Sequence, residues 1–545
     1  MKSVAIVFSI LIFTFSSFLS ARGTWDVYDY GAKGDGKTMD TQAIQAAIDN
    51  CYQSGGGKVC LYGGSFLSGT IYLKSHVSLY IENGATLLGS RHQKDYPVTA
   101  SKYPSYHGTY LTNRMLIYAE DADNIVIEGN GTIDGQGEDF VDIDRLEALK
   151  ERPRIIHLRK CKNIKIRDVT LCNSASWVQS YMLCENLFID GITVDSRENV
   201  DLTKARFADA PGRNTDGLDL VDCRNVRVAN CYINSGDDGI CLKSFSRKEA
   251  CRNITITNCV ITTNASGIKI GTESVGGFQD ITITNCTIYD TRLGGIDIMC
   301  VDGAKIERVL VSGITLRNIN GTAIFVRLGN RGRMHRMDET PGIGSIKDIL
   351  FQNIYGVGIE RYGCSITGVP GIPVENVVLS NINLVFKGGD SPFLFQGEAE
   401  HFVKELSIDD VPDVPQKHPR GDMFGKLPAY GFYVRHANNI EFNGLRLDTA
   451  EKEKRPALVM DNVNSLTVNR LSAKASSDAP ALIYLHDVQQ ADINQSSGIS
   501  PVSVFLHVSG DNTKNITLSM NDFSNVKQKY VVKEPSLEKE IFIHP

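Results

Sequence analysis

From about residue 123 onward, a phrase returns in which Asn or Asp precedes an alternation of apolar and polar positions. Each copy contains two or three short runs rich in β-branched residues, separated by Asn, Gly or Asp. This pattern predicts short strands joined by turns. The copies read N-I-V-I-E-G-N-G-T-I-D-G from Asn124, N-I-K-I-R-D-V-T-L from Asn163, N-L-F-I-D-G-I-T-V from Asn186, N-V-R-V-A-N-C-Y-I from Asn225, N-I-T-I-T-N-C-V-I from Asn253, D-I-T-I-T-N-C-T-I from Asp280, D-I-L-F-Q-N-I from Asp348, N-V-V-L-S-N-I-N-L from Asn376, N-I-E-F-N-G-L-R-L from Asn439 and N-I-T-L-S-M-N-D-F from Asn515.

The spacing of these copies predicts the architecture. Neighbouring copies are separated by 186 − 163 = 23, 253 − 225 = 28 and 280 − 253 = 27 residues, with one longer step of 225 − 186 = 39. A period in the twenties is typical of a solenoid whose coils stack on one another. The sequence therefore predicts an all-β fold, a right-handed parallel β-helix, with a loop inserted in the coil of the longer step. Asn side chains at the bends are expected to satisfy backbone groups of the turns in ladders.

A short helix is expected before the repeats, at about Thr41 to Tyr52, with Asp40 or Thr41 as its N-cap and residues 55–57 as its stop. It would cover the open end of the first coil. We expect one β-helix domain over residues 22–545, with a cap and first coils at 22–90, central coils with a cleft at 91–395, and C-terminal coils at 396–545.

Composition narrows the possible partners and the compartment. The net charge of −6 gives no basic face for nucleic acid. Lys2 followed by an apolar run from Val4 to Leu19 predicts a cleaved signal peptide at residues 1–21, with an uncleaved membrane anchor as the alternative. We therefore expect a secreted or periplasmic monomer that is free of the membrane after cleavage.

The 13 cysteines follow the repeat rather than a disulfide framework. Four begin the same C-x-N phrase and three share N-C-x-I, with Cys172 in a comparable L-C-N setting. This recurrence favours columns of small buried side chains over disulfides, and Cys51 and Cys60 are the pair with the best case for a bond. The repeated cysteines are Cys161, Cys184, Cys223 and Cys251 in the first group and Cys231, Cys259 and Cys286 in the second.

Two neighbouring repeats end in acidic turns, N-T-D-G-L-D from Asn214 and G-D-D-G from Gly236. The step of 237 − 216 = 21 is close to one coil, so Asp216, Asp237 and Asp238 should meet on one surface. Crowded carboxylates raise at least one pKa, which supplies a proton donor beside ionised neighbours, as glycoside hydrolysis requires. A cation site or solvated turn acids are the alternatives at this point.

These motifs resemble glycoside hydrolase family 28, the polygalacturonase family of parallel β-helix enzymes. The matching residues are N-T-D and G-D-D, D-Y-G-A-K-G-D-G-K-T at Asp29 to Thr38, G-T-I-D-G at Gly131 to Gly135 and I-C-L-K-S at Ile240 to Ser244. The resemblance implies that Asp237 is the general acid and that Asp216 and Asp238 position and deprotonate water. It implies an inverting hydrolase of pectic or related polysaccharide that needs no metal or organic cofactor.

The sequence departs from that family at two places. Ser266 stands where the family has the His of G-H-G, and D-I-M from Asp297 replaces R-I-K, which grips the substrate carboxylate in polygalacturonases. An anionic sugar would therefore meet a repulsive partner at Asp297, so the substrate need not be polygalacturonate. The candidate substrate-binding residues are Lys243, Ser266, Lys269, Asp297, Arg327 and Arg331, with a solvated surface role as the alternative for the lysines and Glu273 equally open.

Two irregular segments, 92–114 and 197–213, are expected to close one end of the cleft and to favour attack at chain ends. Tyr103, Tyr106 and Tyr110 in the first offer stacking surfaces for sugars. His157, His335 and His436 lack metal-ligand spacing and are expected to have ordinary polar or surface roles. Two other functions stay open: a Ca²⁺-dependent polysaccharide lyase on the same fold, and a non-catalytic carbohydrate-binding or adhesin β-helix.

Overall fold

A computed structural model describes residues 23–101, 113–140, 151–197, 214–333, 340, 342–389 and 405–545. The predicted signal peptide lies outside these residues, as do Tyr103, Tyr106, Tyr110, His335 and most of the segment 197–213. Within the described part, no helix is long and apolar enough to cross a membrane.

The strands form one unclosed set of parallel ladders, in which each strand pairs with its counterparts one coil before and one coil after. From the first coil to the coil of Gly294–Cys300 the strands are short and separate. Their bounds are Thr24–Asp26, Asp35–Met39, Gly57–Leu61, Gly64–Ser68, Ile71–Tyr72, Val77–Ile81, Ala85–Gly89, Met115–Glu120, Val126–Glu128, Thr132–Asp134, Arg154–Arg159, Lys162–Arg167, Thr170–Cys172, Gln179–Met182, Glu185–Asp190, Thr193–Asp195, Leu218–Val221, Arg224–Ala229, Tyr232–Ser235, Ile240–Ser244, Cys251–Thr257, Val260–Thr263, Ile268–Ser274, Gly277–Thr284, Thr287–Thr291 and Gly294–Cys300.

Beyond that coil several strands are longer and run around a corner of the coil before they end. Their bounds are Lys305–Ile319, Thr322–Leu328, Ser345–Ile359, Cys364–Thr367, Val374–Phe386, Phe432–Thr449, Leu458–Ala473, Ile483–Val488, Ala491–Asn494, Ser497–Gly498, Val502–Ser509, Ile516–Ser519, Val526–Val532 and Ile541–His544. Among the described residues, an α-helix spans Thr41–Gln53. Short 3₁₀ turns span Val27–Tyr30, Gln93–Asp95, Gly137–Phe140, Ile408–Asp410 and Pro535–Glu540. The parallel β-helix predicted from the repeat is confirmed.

Each coil contributes strands to three faces. The first face holds the strands that contain the start of each repeated Asn or Asp phrase, such as Arg224–Ala229. The second face holds strands such as Tyr232–Ser235, and the third holds strands such as Ile240–Ser244. Alternation along each strand sends every second side chain inward, where like residues stack in register. On the first face one inward column contains the fully or almost fully buried Ile164, Leu187, Val226, Ile254 and Ile281. Each such side chain stabilises the coil by about 1.5–3 kcal/mol through burial.

Asn side chains at the bends form ladders, in which each side-chain amide bonds to the amide one coil away. Asn225 donates from Nδ2 to Asn186 Oδ1 at 3.1 Å and accepts from Asn253 Nδ2 at 2.9 Å. Asn225 has φ +56°, a left-handed conformation that Asn tolerates better than β-branched or bulky residues. The ladder thus satisfies side-chain amides along the solenoid while the backbone turns.

The helix Thr41–Gln53 packs Ile44, Ala47, Ile48 and Cys51 against the first coils. Asp40 precedes it as N-cap, but its carboxylate accepts from the backbone N–H groups of Lys33 and Gly34 rather than from the helix. Residues 55–57 follow the helix with positive φ, which Gly adopts readily. The predicted N-terminal cap is therefore confirmed.

All 13 cysteines have free thiols, including Cys51 and Cys60, and Cys172 is the only one that is not buried. The predicted columns of buried cysteine side chains are confirmed. Cys223 and Cys231, for example, donate to backbone carbonyls inside the coil. The grouping of Cys172 with the second column was wrong. Cys172 pairs with Asp134 and Asp195 on the second face, because it lies three residues beyond the inward position that Cys231 occupies.

Candidate active site

The acidic turns lie at the corner between the second and third faces, in consecutive coils. Asp216 precedes the strand Leu218–Val221, and Asp237 and Asp238 precede Ile240–Ser244. The two turns are joined by backbone hydrogen bonds, from Gly217 N–H to Asp238 O at 2.8 Å and from Asp237 N–H to Thr215 O at 3.4 Å. The structure therefore brings the three predicted carboxylates together, as the spacing of one coil required.

Asp238 is nearly buried and its carboxylate is bound from two sides. Lys269 Nζ lies 2.7 Å from Oδ2, and the backbone N–H of Ser266 donates to Oδ1 at 3.2 Å. Burial alone would raise the pKa of Asp238, but Lys269, assisted by Lys243, outweighs it and holds that pKa below its usual range. Asp238 is thus kept ionised.

Asp237 and Asp216 have the opposite tendency. Burial, reinforced by the Asp238 carboxylate, raises the pKa of Asp237, against the smaller effects of Lys269 and Arg292. Burial, reinforced by Asp219, raises the pKa of Asp216 well above its usual range, although Lys243 opposes this. Adjacent carboxyl groups with diverging pKa values are the arrangement that lets one group donate a proton while another accepts one.

Lys243 is buried among three acids. Its Nζ lies 3.4 Å from both Asp216 Oδ2 and Asp219 Oδ1, and 3.7 Å from Glu273 Oε2. Burial raises the pKa of Asp219 to about 7, with Lys243 and Arg154 limiting the rise. Lys243 is therefore an internal counter-ion of the carboxylate cluster, and the alternative of a solvated surface lysine is wrong for this residue.

Ser266 and Asp297 form a pair on the next two coils. Ser266 Oγ lies 2.5 Å from Asp297 Oδ2, and the side chain of Asp297 is 1% exposed with no hydrogen bond at Oδ1. Burial raises the pKa of Asp297 to about 7, while the hydrogen bond from Ser266 and the charge of Lys269 limit the rise. This edge of the cluster therefore carries little negative charge below that pH and can donate to or accept from a hydroxyl group.

The two candidate arginines are engaged by the protein. Arg327 Nη1 donates to Thr367 Oγ1 and to Gly368 O, both at 3.2 Å, and its guanidinium lies 5.3 Å from the centre of the Phe424 ring. Arg331 donates to both oxygens of the buried Asp302 and lies 3.7 Å from Glu273. Arg327 is three coils from Asp237, so the structure does not bring it to the carboxylate cluster.

Several residues of the cluster were not assigned from the sequence. Asp219 was detectable, because Leu218 and Leu220 alternate around it and predict that it points outward. Asp422, which contributes to the raised pKa of Asp297, gave no signal. His157 was expected to have an ordinary polar or surface role. The surface role is wrong, because the side chain is fully buried between Arg154 and Arg159.

One group within the described chain has spacing compatible with a metal ion: potential ligand atoms of Asp216, Asp238 and Cys241 lie within 4.8 Å of one another. Lys269 and Lys243 already lie 2.7 and 3.4 Å from these carboxylates. Their ammonium groups supply the positive charge that a cation would bring, so the donor set does not favour a divalent ion.

Comparison with known proteins agrees with this geometry. Residues 67–397 match the model of the Glycosyl hydrolases family 28. The chain is 28% identical over 377 residues to a probable polygalacturonase of Vitis vinifera, which covers 65% of this chain and 73% of that protein. It is 30% identical over 343 residues to an endo-polygalacturonase of Pectobacterium carotovorum subsp. carotovorum, which covers 59% of this chain and 78% of that protein.

Among solved structures, the family 28 exopolygalacturonase of Yersinia enterocolitica superposes with a TM-score of 0.59 and 19% identity, covering 82% of this chain and 78% of the other. This likeness concerns the fold. The family match, the sequence relatives and the carboxylate cluster together give one conclusion. The chain belongs to family 28 of the glycosyl hydrolases and is an O-glycosyl hydrolase of the polygalacturonase type.

Proposed function

We propose that this hydrolase cleaves a pectic or related plant polysaccharide with inversion of the anomeric centre, from chain ends. Asp237 protonates the departing glycosidic oxygen, Asp238 deprotonates the attacking water, and Asp216 positions that water. The single observation that supports these roles is the divergence of two adjacent carboxyl groups, one with a raised pKa and one held ionised by Lys269.

A single displacement by water suits the position of Asp216 and Asp238. Oxygen atoms of their carboxylates lie within 4.8 Å of each other, a span that one water molecule can bridge with two hydrogen bonds of about 2.8 Å. A water held in this way attacks the anomeric carbon while Asp237 delivers its proton to the leaving oxygen. The bond to the leaving sugar breaks as the bond to water forms, which inverts the configuration.

The substrate assignment rests on the Ser266 and Asp297 edge. Because Asp297 has a pKa raised to about 7, a carboxylate-bearing sugar at that position gains no cationic partner from it and is repelled as the pH rises. An uncharged ring can exchange hydroxyl hydrogen bonds with Asp297 Oδ1 instead. Chain-end attack is inferred from the two irregular segments, most of whose residues lie outside the described part of the chain.

The test is Asp237→Asn, assayed on pectic fragments beside the matched control Asp195→Asn. Asp195 lies one coil earlier on the second face, where it accepts from Asn234 at 2.8 Å. We expect kcat to fall by about 10²–10⁴ in Asp237→Asn and to stay near the parent value in Asp195→Asn. Unchanged turnover in a folded Asp237→Asn protein would refute the acid role.

Proton NMR of the first product tests inversion, because a retained anomer excludes the single displacement. A time course tests chain-end attack, since early mono- or disaccharide is expected and mixed internal fragments would contradict it. Products that absorb in the ultraviolet and activity that is lost on adding chelator would indicate a lyase instead.

A further inference from the structure

Three polar side chains of the strand Arg154–Arg159 lie on the outer side of the third face, before the acidic turns. His157 is in register with Ser180, which is in register with Asp219. Successive coils lie about 4.8 Å apart, so His157 is about 10 Å from Asp219 along the solenoid. This position is next to the carboxylate cluster, on the side opposite to Asp297.

Both ring nitrogens of His157 face hydrogen-bond donors on neighbouring side chains. Arg159 Nη2 lies 3.2 Å from Nε2, while Nδ1 lies 3.2 Å from Arg154 Nη1 and 2.8 Å from Ser180 Oγ. A guanidinium can only donate, so each ring nitrogen lies next to a donor, and Ser180 Oγ also accepts from Arg154 Nη1 at 2.9 Å. Burial, assisted by both arginines, lowers the pKa of His157 well below its usual range. The imidazole is therefore a neutral spacer between two cations.

Within the described residues these two cations form no ion pair, although Asp219 and Asp216 act on Arg154 at longer range and Arg159 is in register with Glu120. The side chains of Arg154 and Arg159 are 2% and 5% exposed, and in each the Nε–H has no hydrogen bond. Among the described residues, no carboxylate lies within ion-pair distance, 4.0 Å, of either guanidinium. Burying unpaired charge is costly, so folded proteins normally pair buried charges or neutralise them. Two such groups next to each other indicate a site that is completed by an anion.

Arg154 also connects this pair to the carboxylate cluster. Its guanidinium lies 4.4 Å from the centre of the Trp177 ring, and Lys243 Nζ lies 4.9 Å from the same centre. Trp177 is nearly buried and packs with Met182, Val221 and Phe245. A ligand that contacts Arg154 would therefore lie beside Trp177, whose ring Lys243 of the carboxylate cluster also contacts.

We propose that Arg154 and Arg159 form a subsite for the carboxylate of a uronic acid residue of the substrate, on the N-terminal side of the acidic turns. The proposal rests on the proposed function, because the bound sugar belongs to the polymer that is cleaved. With Asp297 at the other end, the cleft then has a cationic and an uncharged flank. Such a cleft favours a glycan with an acidic sugar on one side of the scissile bond and a neutral sugar on the other.

The direct test is binding without turnover. Calorimetric titration of the wild-type protein with galacturonate and with galactose, which has the same ring without the carboxylate, should show at least tenfold tighter binding of galacturonate. Arg159→Met should weaken galacturonate at least tenfold and leave galactose unchanged. Arg227→Met is the matched control, because Arg227 stacks on Phe188 at 4.5 Å on the first face. Equal binding of the two sugars to the wild-type protein would overturn the proposal.

Kinetics separate a subsite from an effect on the catalytic acids. With a pectic oligosaccharide and its carboxyl-reduced counterpart, Arg154→Met should raise KM for the native substrate by tenfold or more and leave the reduced one unaffected. An equal loss of kcat on both substrates would mean that Arg154 only tunes Asp219, and the subsite would be refuted. If Arg154→Met does not fold, Arg159→Lys, which keeps the charge but not the planar fork, provides the same comparison.

The two proposals fail differently. If Asp237→Asn keeps its hydrolytic activity, the proposed function is wrong while the calorimetric comparison still decides the subsite. If hydrolysis depends on Asp237 but galacturonate and galactose bind alike, the subsite alone is wrong.

Discussion

Replacing Lys269 with Met removes the ammonium group that lies 2.7 Å from Asp238 Oδ2 and leaves the carboxylate buried. An opposite charge at such a distance lowers the pKa of an Asp by about 1–3 units. Without it, burial and the neighbouring carboxyl groups act alone, so the pKa of Asp238 rises. If Asp238 must be ionised to accept a proton from water, the acidic limb of the pH profile should move up by about 1–3 pH units.

The assay is kcat/KM between pH 3 and pH 9, because this quantity reports the ionisation of the free enzyme. Lys269→Met should be inactive at acidic pH values at which the wild-type enzyme is still active. Its activity should recover towards the wild-type value as the pH rises. Lys347→Met is the matched control, since Lys347 pairs with Glu307 at 3.5 Å on the first face with 44% of its side chain exposed. That variant should keep the wild-type profile.

Stability provides an independent check on the same pair. Removing one partner of a buried pair costs about 3–5 kcal/mol, but Asp238 can take up a proton and so reduce the cost. The depressed pKa in the wild-type protein means that its contribution is present above the unfolded pKa and is lost as the pH falls. Urea denaturation should therefore show a larger deficit for Lys269→Met at pH 8 than at pH 4. An unshifted acidic limb with a uniformly lower rate would refute this account of Lys269.

Three further predictions follow from buried or repeated groups. Asp297→Asn should stabilise the protein in urea denaturation by up to about 4 kcal/mol at pH 8 and change its stability little at pH 4. The reason is that the pKa of Asp297, raised to about 7, lowers the free energy of unfolding progressively as the pH rises from the unfolded pKa to 7. Equal effects at both pH values would contradict this prediction. Asn225→Ala should cost about 2–3 kcal/mol and Asn225→Gly about 1 kcal/mol less, because both lose the ladder hydrogen bonds but Gly fits φ +56°. Thiol titration of the unfolded, unreduced protein should count 13 free thiols, whereas 11 would indicate a bond between Cys51 and Cys60.

The repeat made the fold predictable. A step of 23 to 28 residues with alternating apolar positions can bury its apolar side chains by stacking coil on coil, and Asn at the bends tolerates the left-handed turns. The same step predicted that Asp216 and Asp237 would be neighbours, because residues one period apart lie on adjacent coils. Local signals, an N-cap position and following glycines, predicted a helix at about Thr41 to Tyr52, and the observed helix spans Thr41–Gln53. Cys172 shows the limit of this reasoning: a similar local phrase does not fix the face on which a residue lies.

Tertiary structure decided the electrostatics of the site. Whether Lys243 and Lys269 would be solvated could not be read from the sequence, because each faces acids on neighbouring coils and is neutralised there. The loop that brings Asp422 towards Asp297 comes from a distant part of the chain, and it is held by the packing of Met423 and Phe424 against Met299 and Phe325. The sequence also gave no sign that Arg154 and Arg159 would be buried without an ion pair among the described residues. Periodicity determines which residues share a column, whereas the charge and hydration of each residue depend on neighbours that only the assembled coils supply.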